Sequence, residues 1–250
     1  MPPVILRGLD TSYDDVSLAD ARRVREAGFE VAWQCLWTGA EQPPHRVTNL
    51  RNYQQAGMIL LGYGSLPTNA TVGGRHVEMS RGGVPDDLWA AMCRAVVDVE
   101  LPGITRTAIR QMLEGFVAFG KPLRTIYTSL DAWKNKLGNP MEFAHCDLIN
   151  AWWDEDEDRD FDGHRYGPWA PDQVIAEQWS GGKDVLGIYA DKDAFYISRE
   201  RLVGKATEAI VEASTGLLQL RIAYLESVMK IGAAGSVQQM AELAKYYGAK

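Results

Sequence analysis

Short apolar segments alternate with amphipathic segments through roughly the first 195 residues of the chain. Short apolar runs between turn residues are typical of strands, and apolar positions spaced three and four apart are typical of helices. The pattern predicts eight strands, at 4–9, 29–36, 58–63, 95–100, 123–127, 147–152, 173–179 and 185–188. It predicts helices at 17–27, 49–56, 86–94, 104–119 and 131–137, the first capped by Ser17 and ended by Gly28.

Repeated strand–helix alternation indicates a parallel sheet wrapped by helices. Polar residues rarely interrupt the strands, as expected where helices cover the outer face of the sheet. At 250 residues a closed barrel is the natural arrangement, and barrel active sites lie at the C-terminal ends of the strands. We therefore expect an α/β fold with a TIM-like barrel over residues 1–197. The glycine pairs at 73–74 and 82–83 predict a flexible linker after the third strand.

The segment 198–250 differs from the rest because it contains no strand pattern. Apolar residues four and three apart between Leu218 and Met229 form one helical stripe, and Ser236 with Gln239 forms a capping box for a last helix. We expect a helical C-terminal extension. It either packs on the barrel or serves as a device for oligomerisation or for docking onto a larger particle.

Carboxylates stand at the predicted strand ends. Asp10 ends the first strand, and Asp98 and Glu100 close the fourth. Residues two apart in a strand point to the same face, about 6.5–7 Å apart. Because two carboxylates in a partly dry pocket do not both ionise easily, one pKa should rise. The result is a proton donor beside a carboxylate, which acid–base hydrolysis of a glycoside requires.

Aromatic residues gather near the same predicted rim: Trp33, Trp37, Tyr63, Tyr127, Trp152, Trp153 and Trp179. Sugar rings present apolar C–H faces, and flat aromatic side chains are suitable platforms for them. A single tryptophan is more often part of a core than a ligand platform. Eight tryptophans in one chain favour a carbohydrate-binding cleft.

Several segments together resemble an ordered series of motifs. They are Gly8-Leu-Asp-Thr-Ser12, Asp98-Val-Glu100, Ile126-Tyr-Thr-Ser129 followed by Trp133, Ile149-Asn-Ala-Trp152, Gln178-Trp-Ser-Gly-Gly, Gly187-Ile188 and Asp191-Lys-Asp-Ala-Phe195. Over residues 4–196 the series resembles the glycoside hydrolase family 25 lysozymes. That resemblance implies an irregular barrel of eight strands with fewer helices. It also implies a muramidase that cleaves the β-1,4 bond between N-acetylmuramic acid and N-acetylglucosamine in peptidoglycan. Many such enzymes are phage endolysins.

The resemblance also implies roles for individual residues. Glu100 would be the general acid on the leaving oxygen, and Asp98 would position the substrate's N-acetyl group or stabilise positive charge on the sugar. Asp10 and Asp191 would complete an acidic ring on the barrel floor. The stereochemical course stays open between inversion and neighbouring-group participation.

The sequence departs from the family pattern at three places. Gly62-Tyr-Gly-Ser65 stands where the family usually has a histidine, and Gln34-Cys-Leu-Trp-Thr-Gly39 replaces an acidic motif. Asp193 replaces an asparagine. These departures leave open a barrel that binds glycan without cutting it, as a structural component of a phage tail or injection particle. A hydrolase of another amino-sugar polymer, such as chitin, also stays open.

Composition excludes several other classes. The formal net charge of −7 argues against nucleic acid or an anionic membrane as the main partner. No apolar run reaches the length of a membrane span. The three cysteines and four histidines show no metal or disulfide spacing, so no cofactor is expected. Without a signal-peptide pattern, we expect synthesis in the cytoplasm. Action at the bacterial cell wall would then follow release through a partner pore or transport on a particle.

One acidic run remains as a candidate metal site. Asp158, Asp160 and Asp162 match the first half of a calcium-binding loop. The twelfth position of that loop is Trp169 rather than the bidentate glutamate that calcium requires. A solvated acidic loop over the cleft is therefore the favoured interpretation, with calcium as the alternative.

Overall fold

The fold is a closed eight-stranded barrel, seen in a computed structural model that describes residues 5–157, 161 and 163–204. The strands follow one another around the barrel in chain order. They are β1 Leu6–Thr11, β2 Phe29–Trp37, β3 Ile59–Ser65, β4 Met92–Asp98, β5 Thr125–Ser129, β6 Asp147–Ala151, β7 Val174–Val185 and β8 Ile188–Phe195. The predicted TIM-like barrel of eight strands is confirmed.

Helices cover one side of the barrel more fully than the other. The α-helices are α1 Leu18–Glu26, α2 Arg46–Gln55, α3 Gly74–Arg81, α4 Asp86–Ala91, α5 Arg106–Ala118 and α6 Arg199–Val203. A π-helical turn spans Asp131–Lys136, and a 3-10 turn spans Pro171–Gln173. Within the described ranges no α-helix lies between β5 and β8, so fewer helices than strands surround the barrel.

The sheet is mixed, and the prediction of a fully parallel sheet is wrong. Strands β1 to β7 run parallel to their neighbours, whereas β8 is antiparallel to both β7 and β1. The cause is a two-residue turn, Leu186 and Gly187, in which both residues have positive φ. This geometry suits a tight hairpin. The predicted strand at 185–188 contains this turn, so it is the joint between two strands.

Local capping chemistry explains where the first helix begins. Ser17 accepts a hydrogen bond from the backbone of Asp20, and the Asp20 side chain accepts from the backbone of Ser17. This reciprocal capping box satisfies two N–H groups that have no partner within the helix. The predicted start at Ser17 is confirmed.

The glycine pairs at 73–74 and 82–83 do not form a linker, and that prediction is also wrong. They bracket helix α3. A side chain at Gly73 would place its Cβ 2.0 Å from the carbonyl oxygen of Ala108 in α5. The glycine is therefore required because α3 and α5 approach closely, which the sequence pattern alone does not reveal.

Arg94 closes the barrel at the end where the parallel strands begin. Its guanidinium is 1% exposed and donates to Asp147 Oδ2 at 2.5 Å, to Thr125 Oγ1 at 2.9 Å and to the carbonyl of Leu202 at 2.9 Å. Above it, apolar side chains of alternate strand positions fill the interior, among them Val31, Ile59, Leu61, Val96, Ile149 and Phe195. The interior is therefore filled at the end where the parallel strands begin, and it is open to a ligand only at the C-terminal ends of those strands.

Some predicted features lie outside the described residues. The helices predicted between Leu218 and the C-terminus belong to this group, as do the candidate calcium ligands Asp158, Asp160 and Asp162. They stay predictions. Within the part of the chain that is described, no helix is long and apolar enough to cross a membrane.

We predict that Arg94→Ala lowers the free energy of unfolding by about 3–5 kcal/mol, because it leaves the carboxylate of Asp147 without its buried partner. Urea denaturation measures this change. Arg106→Ala is the matched control, since Arg106 is 52% exposed in its 3.7 Å ion pair with Glu142. We expect that control to cost at most about 1 kcal/mol. Equal losses for the two variants would contradict the role given to Arg94.

Candidate active site

A cavity of about 300 Å³ opens at the C-terminal ends of the parallel strands. Its lining includes all four carboxyl residues singled out in the sequence, Asp10, Asp98, Glu100 and Asp191. Asp10 comes from β1, Asp98 ends β4, and Asp191 comes from β8. Barrel closure thus brings together residues that are up to 181 positions apart (191 − 10) in the chain.

Asp98 and Glu100 form the first carboxyl pair of the cavity. Asp98 is buried, and its Oδ2 accepts from Ser65 Oγ at 2.5 Å. Burial raises the pKa of Asp98, and the neighbouring charge of Glu100 raises it further. Burial also raises the pKa of Glu100, against a hydrogen bond from Tyr127 that lowers it. β4 ends at Asp98, so Glu100 lies just beyond the strand and not within it as expected.

Asp10 and Asp191 form a second pair across the β1–β8 ladder, where their Cα atoms are direct partners. Burial raises the pKa of Asp10 well above its usual range, and the charges of Asp193, Asp191 and Asp98 raise it further. Burial raises the pKa of Asp191 as well, although its Oδ1 accepts from the backbone of Gly182 at 2.5 Å.

Asp193 is a member of this group that the sequence analysis did not assign to the site. It is 1% exposed, and its Oδ2 accepts from the indole of Trp33 at 2.6 Å. Burial raises its pKa well above the usual range. A signal was available, because Asp191 and Asp193 have the same two-residue spacing as Asp98 and Glu100.

None of the described residues that line the cavity is a lysine or an arginine. The charge of the nearby Lys136 lowers the pKa of Glu100 but does not outweigh the effect of burial. One oxygen each of Asp10, Asp98 and Asp193 is buried without a hydrogen-bond partner among the described residues. Burying an unpaired charge is costly, so such groups retain a proton instead. The cavity is therefore equipped to donate protons at near-neutral pH.

A second cavity of about 440 Å³ adjoins the first. Its lining comes from the ends of β5 and β6 and the loops that follow, and includes Ser129, Ala151 and Trp152. Glu100 and Trp153 line both cavities. The two cavities form a groove with the Glu100 carboxyl at the junction, which suits an extended polymer that passes the acid on both sides.

The predicted aromatic platforms fall into two groups within this groove. Trp33 is fully buried and packs its ring 5.3 Å from Tyr63 and 5.4 Å from Tyr127 between ring centres, so these three form the inner wall. Trp152 borders the second cavity and stacks on His164 at 4.3 Å. Trp153 is 60% exposed and is the aromatic ring most available to a ligand.

Trp37 and Trp179 line neither cavity, which corrects their placement in the cleft. The sheet register shifts between Cys35 and Trp37, so Trp37 packs instead against His76, whose Nδ1 accepts its indole proton at 3.0 Å. Trp179 follows the inward-facing Gln178 and therefore faces outward. There Lys192 Nζ lies 5.1 Å from the ring centre.

We predict that Asp193→Asn stabilises the protein at pH 8 and much less at pH 4. The raised pKa keeps Asp193 protonated in the folded state, while the unfolded chain ionises above about pH 4. The wild type therefore loses stability as pH rises from there, and the asparagine variant does not. The amide oxygen can still accept from Trp33. A stabilisation of about 1 kcal/mol by the substitution corresponds to a rise of about 2–4 °C in the midpoint of thermal unfolding at pH 8.

The exposed Asp172→Asn variant provides the control and should show no such dependence on pH. An equal shift of the Asp193→Asn midpoint at both pH values would mean that the carboxyl of Asp193 is ionised in the folded protein.

Comparisons with known proteins establish the fold. Neither the protein-family models nor the curated protein sequences contain a match to the chain. Solved structures do match. A muramidase from Trichobolus zukalii is 21% identical with a TM-score of 0.63, and covers 79% of this chain and 97% of its own. A family GH25 lysozyme from Aspergillus fumigatus is 16% identical with a TM-score of 0.62, at 79% and 97% coverage.

The catalytic domain of the endolysin ply40 from bacteriophage P40 of Listeria monocytogenes also matches. It is 10% identical with a TM-score of 0.55, and covers 79% of this chain and 95% of its own. The likeness extends over nearly the whole of each matched structure. The chain therefore has the fold of the glycoside hydrolase family 25 lysozymes.

Proposed function

We propose that this protein is a peptidoglycan muramidase, which cleaves the β-1,4 bond between N-acetylmuramic acid and N-acetylglucosamine. The observation that carries the proposal is the Glu100 carboxyl with its raised pKa, at the junction of two cavities and beside Asp98. A general acid must hold its proton at working pH and must face the bond to be cut. The family 25 fold adds support, because the matched structures include muramidases and lysozymes.

In the proposed reaction Glu100 donates its proton to the glycosidic oxygen as the bond from that oxygen to C1 of the muramic acid residue breaks. The leaving N-acetylglucosamine takes the proton and the bonding electrons. C1 develops positive charge. Asp98 orients the N-acetyl group that can attack C1, or, in its ionised form, stabilises that charge. Water then adds to C1 and forms the hydroxyl there. Its other proton is taken up by the carboxylates of the site, which restores the proton on Glu100. Direct attack of water on C1 and prior attack by the neighbouring N-acetyl group lead to the same products.

Asp10 and Asp191 support the reaction from the opposite wall of the cavity. Their raised pKa values let them act as hydrogen-bond donors to the substrate's hydroxyl or acetamido oxygens. The ring of Trp153 offers its apolar face to a sugar that spans the two cavities. We place the site of action at the bacterial cell wall, reached through a partner pore or on a particle.

A second candidate function is a glycan-binding barrel within a phage tail or injection particle. One observation favours it. The matched structure from Trichobolus zukalii covers 79% of the chain, and the extension that the sequence predicts at 198–250 is about as long as the part left uncovered. We propose docking or self-association as its role. A barrel of this kind would bind the same glycan in the same groove without cutting it.

We predict that Glu100→Gln lowers the rate of peptidoglycan hydrolysis by about 10²–10⁴-fold, because the amide carries no transferable proton. Purified peptidoglycan is incubated with each protein and reduced with borohydride, and the soluble fragments are identified by mass spectrometry. Reduced muramic acid ends should appear with the wild type and with Glu114→Gln, a control on the exposed face of α5.

Each outcome of this experiment bears on one proposal. Full activity of Glu100→Gln would refute the assignment of the acid. Retained binding with no fragments from the wild type would favour the glycan-binding particle component. Reduced N-acetylglucosamine ends instead of muramic acid ends would show a different bond specificity.

We predict that Trp153→Ala raises the KM for soluble peptidoglycan fragments by about tenfold, which corresponds to about 1.4 kcal/mol of lost stacking. The kcat should change little, because the ring contacts bound sugar in the ground state and the transition state alike. Tyr189→Ala is the control, since Tyr189 is an equally exposed aromatic residue that lines neither cavity. An unchanged KM for Trp153→Ala would remove the platform from the proposal.

A further inference from the structure

Gln178 connects three side chains of the site. It lies in β7, is 1% exposed, and projects into the barrel below the cavity. Its Oε1 accepts from Tyr127 Oη at 2.7 Å and from Trp153 Nε1 at 2.8 Å. Its Nε2 donates to Asp10 Oδ2 at 3.3 Å. It also lies near Asp193 and lowers the pKa of that carboxyl.

A glutamine side chain offers two acceptor lone pairs and two N–H donors. Both lone pairs and one N–H donor are used here, and they are used in one orientation only. Rotating the amide by half a turn would set its NH2 group against the indole N–H of Trp153, two donors facing each other. The network therefore holds the Gln178 amide in a single position.

We propose that Gln178 is a positioning residue of this site, which controls the hydrogen bonding of Glu100 through Tyr127 and holds the Trp153 ring in the groove. The inference deepens the proposed function and rests on it. Gln178 touches no reacting atom in this scheme, so its effects are expected to appear through the residues that it holds.

The first effect acts through Tyr127. The phenol has one proton to donate, and it donates that proton to Gln178 Oε1 at 2.7 Å. Tyr127 also lines the same cavity as Glu100 and lowers the pKa of that carboxyl. A hydrogen bond from Tyr127 stabilises the ionised form of Glu100 and lowers its pKa. By drawing the phenol proton to itself, Gln178 leaves Glu100 the weaker share of that hydrogen bond. Glu100 therefore keeps its own proton more readily.

The second effect acts through Trp153. Its ring is mostly exposed, and its indole N–H is tied to Gln178 Oε1. The ring also lies on Gly181, where a Cβ would be 3.3 Å from the indole atoms. Gln178 and the bare backbone of Gly181 thus hold an exposed ring that would otherwise turn freely. A fixed platform binds sugar at a lower entropic cost than a mobile one.

The test compares Gln178→Met with Gln34→Met. Methionine has a similar size and makes none of the three hydrogen bonds. Gln34 is fully buried and bonds to Thr11 and Asn49 on the other side of the sheet, lining neither cavity. The two variants remove comparable buried hydrogen bonds, so a merely structural role would make them behave alike.

Two measurements are made on the full-length protein. Carboxyl ¹³C NMR titration follows the pKa of Glu100, and kcat and KM for soluble peptidoglycan fragments are measured across pH. In Gln178→Met the pKa of Glu100 should fall, because Tyr127 then donates to Glu100 alone. The alkaline limb of the kcat profile should move to lower pH with it. The KM should rise by about tenfold through the released Trp153 ring.

Two further variants sharpen the result. Tyr127→Phe removes the donor itself, so it should move the pKa of Glu100 upward, opposite to Gln178→Met. Gln178→Glu keeps an acceptor for Trp153, so its KM should return to within about twofold of the wild type. If Gln178→Met fails to fold, Tyr127→Phe still tests the link to Glu100, because a downward shift of that pKa would overturn the inference.

The inference is overturned if Gln178→Met leaves the pKa of Glu100 and the KM where Gln34→Met leaves them, or if Tyr127→Phe moves the pKa of Glu100 downward. Failure of the proposed function looks different. In that case the wild type cleaves no glycan, while the NMR titration still reports whether Gln178 governs Glu100.

Discussion

The site depends on one constraint: carboxyl groups are enclosed in the mouth of a barrel, in a cavity that no described lysine or arginine lines. In water these side chains ionise near pH 4. Within the cavity, burial and mutual repulsion raise the pKa of Asp98, Glu100 and their neighbours, so protons stay on the groups. Keeping these groups protonated lowers the free energy of unfolding above that pH. The packed interior around Trp33 and the buried Arg94 offset this loss. The same enclosure that weakens the fold supplies a proton donor for the proposed reaction.

The reversed last strand makes this enclosure complete. Because β8 returns antiparallel after the tight turn at Leu186 and Gly187, it pairs with both β7 and β1 and closes the barrel without a covering helix. The same pairing sets Asp191 directly opposite Asp10. A parallel eighth strand would need a long crossover connection. The short turn instead means that no described helix separates β7 from β8. It also places two aspartates of β8, Asp191 and Asp193, among the buried carboxyl groups of the site.

Hydrogen bonds from neutral groups then distinguish one carboxyl from another. Ser65 contacts Asp98, Trp33 contacts Asp193, and Tyr127 contacts Glu100. Each of these contacts lowers the pKa of one carboxyl against the general rise caused by burial. Gln178 ties the set to the exposed ring of Trp153, so the state of the acid and the shape of the groove share one network. This is the physical basis for treating acid and platform as a unit.

The sequence by itself determined what local periodicity and capping decide. The strands from β1 to β6, the capping box at Ser17, the barrel and the meeting of Asp10, Asp98 and Glu100 in one cavity follow from apolar spacing and strand ends. Asp191 was expected there from the family resemblance. The tertiary structure alone decided the direction of β8, the outward turn of Trp37 at a register shift, and the inclusion of Asp193 and Gln178. Register, bulges and the pairing partner of each strand depend on contacts between distant segments. A residue's own neighbours in the chain do not encode those contacts.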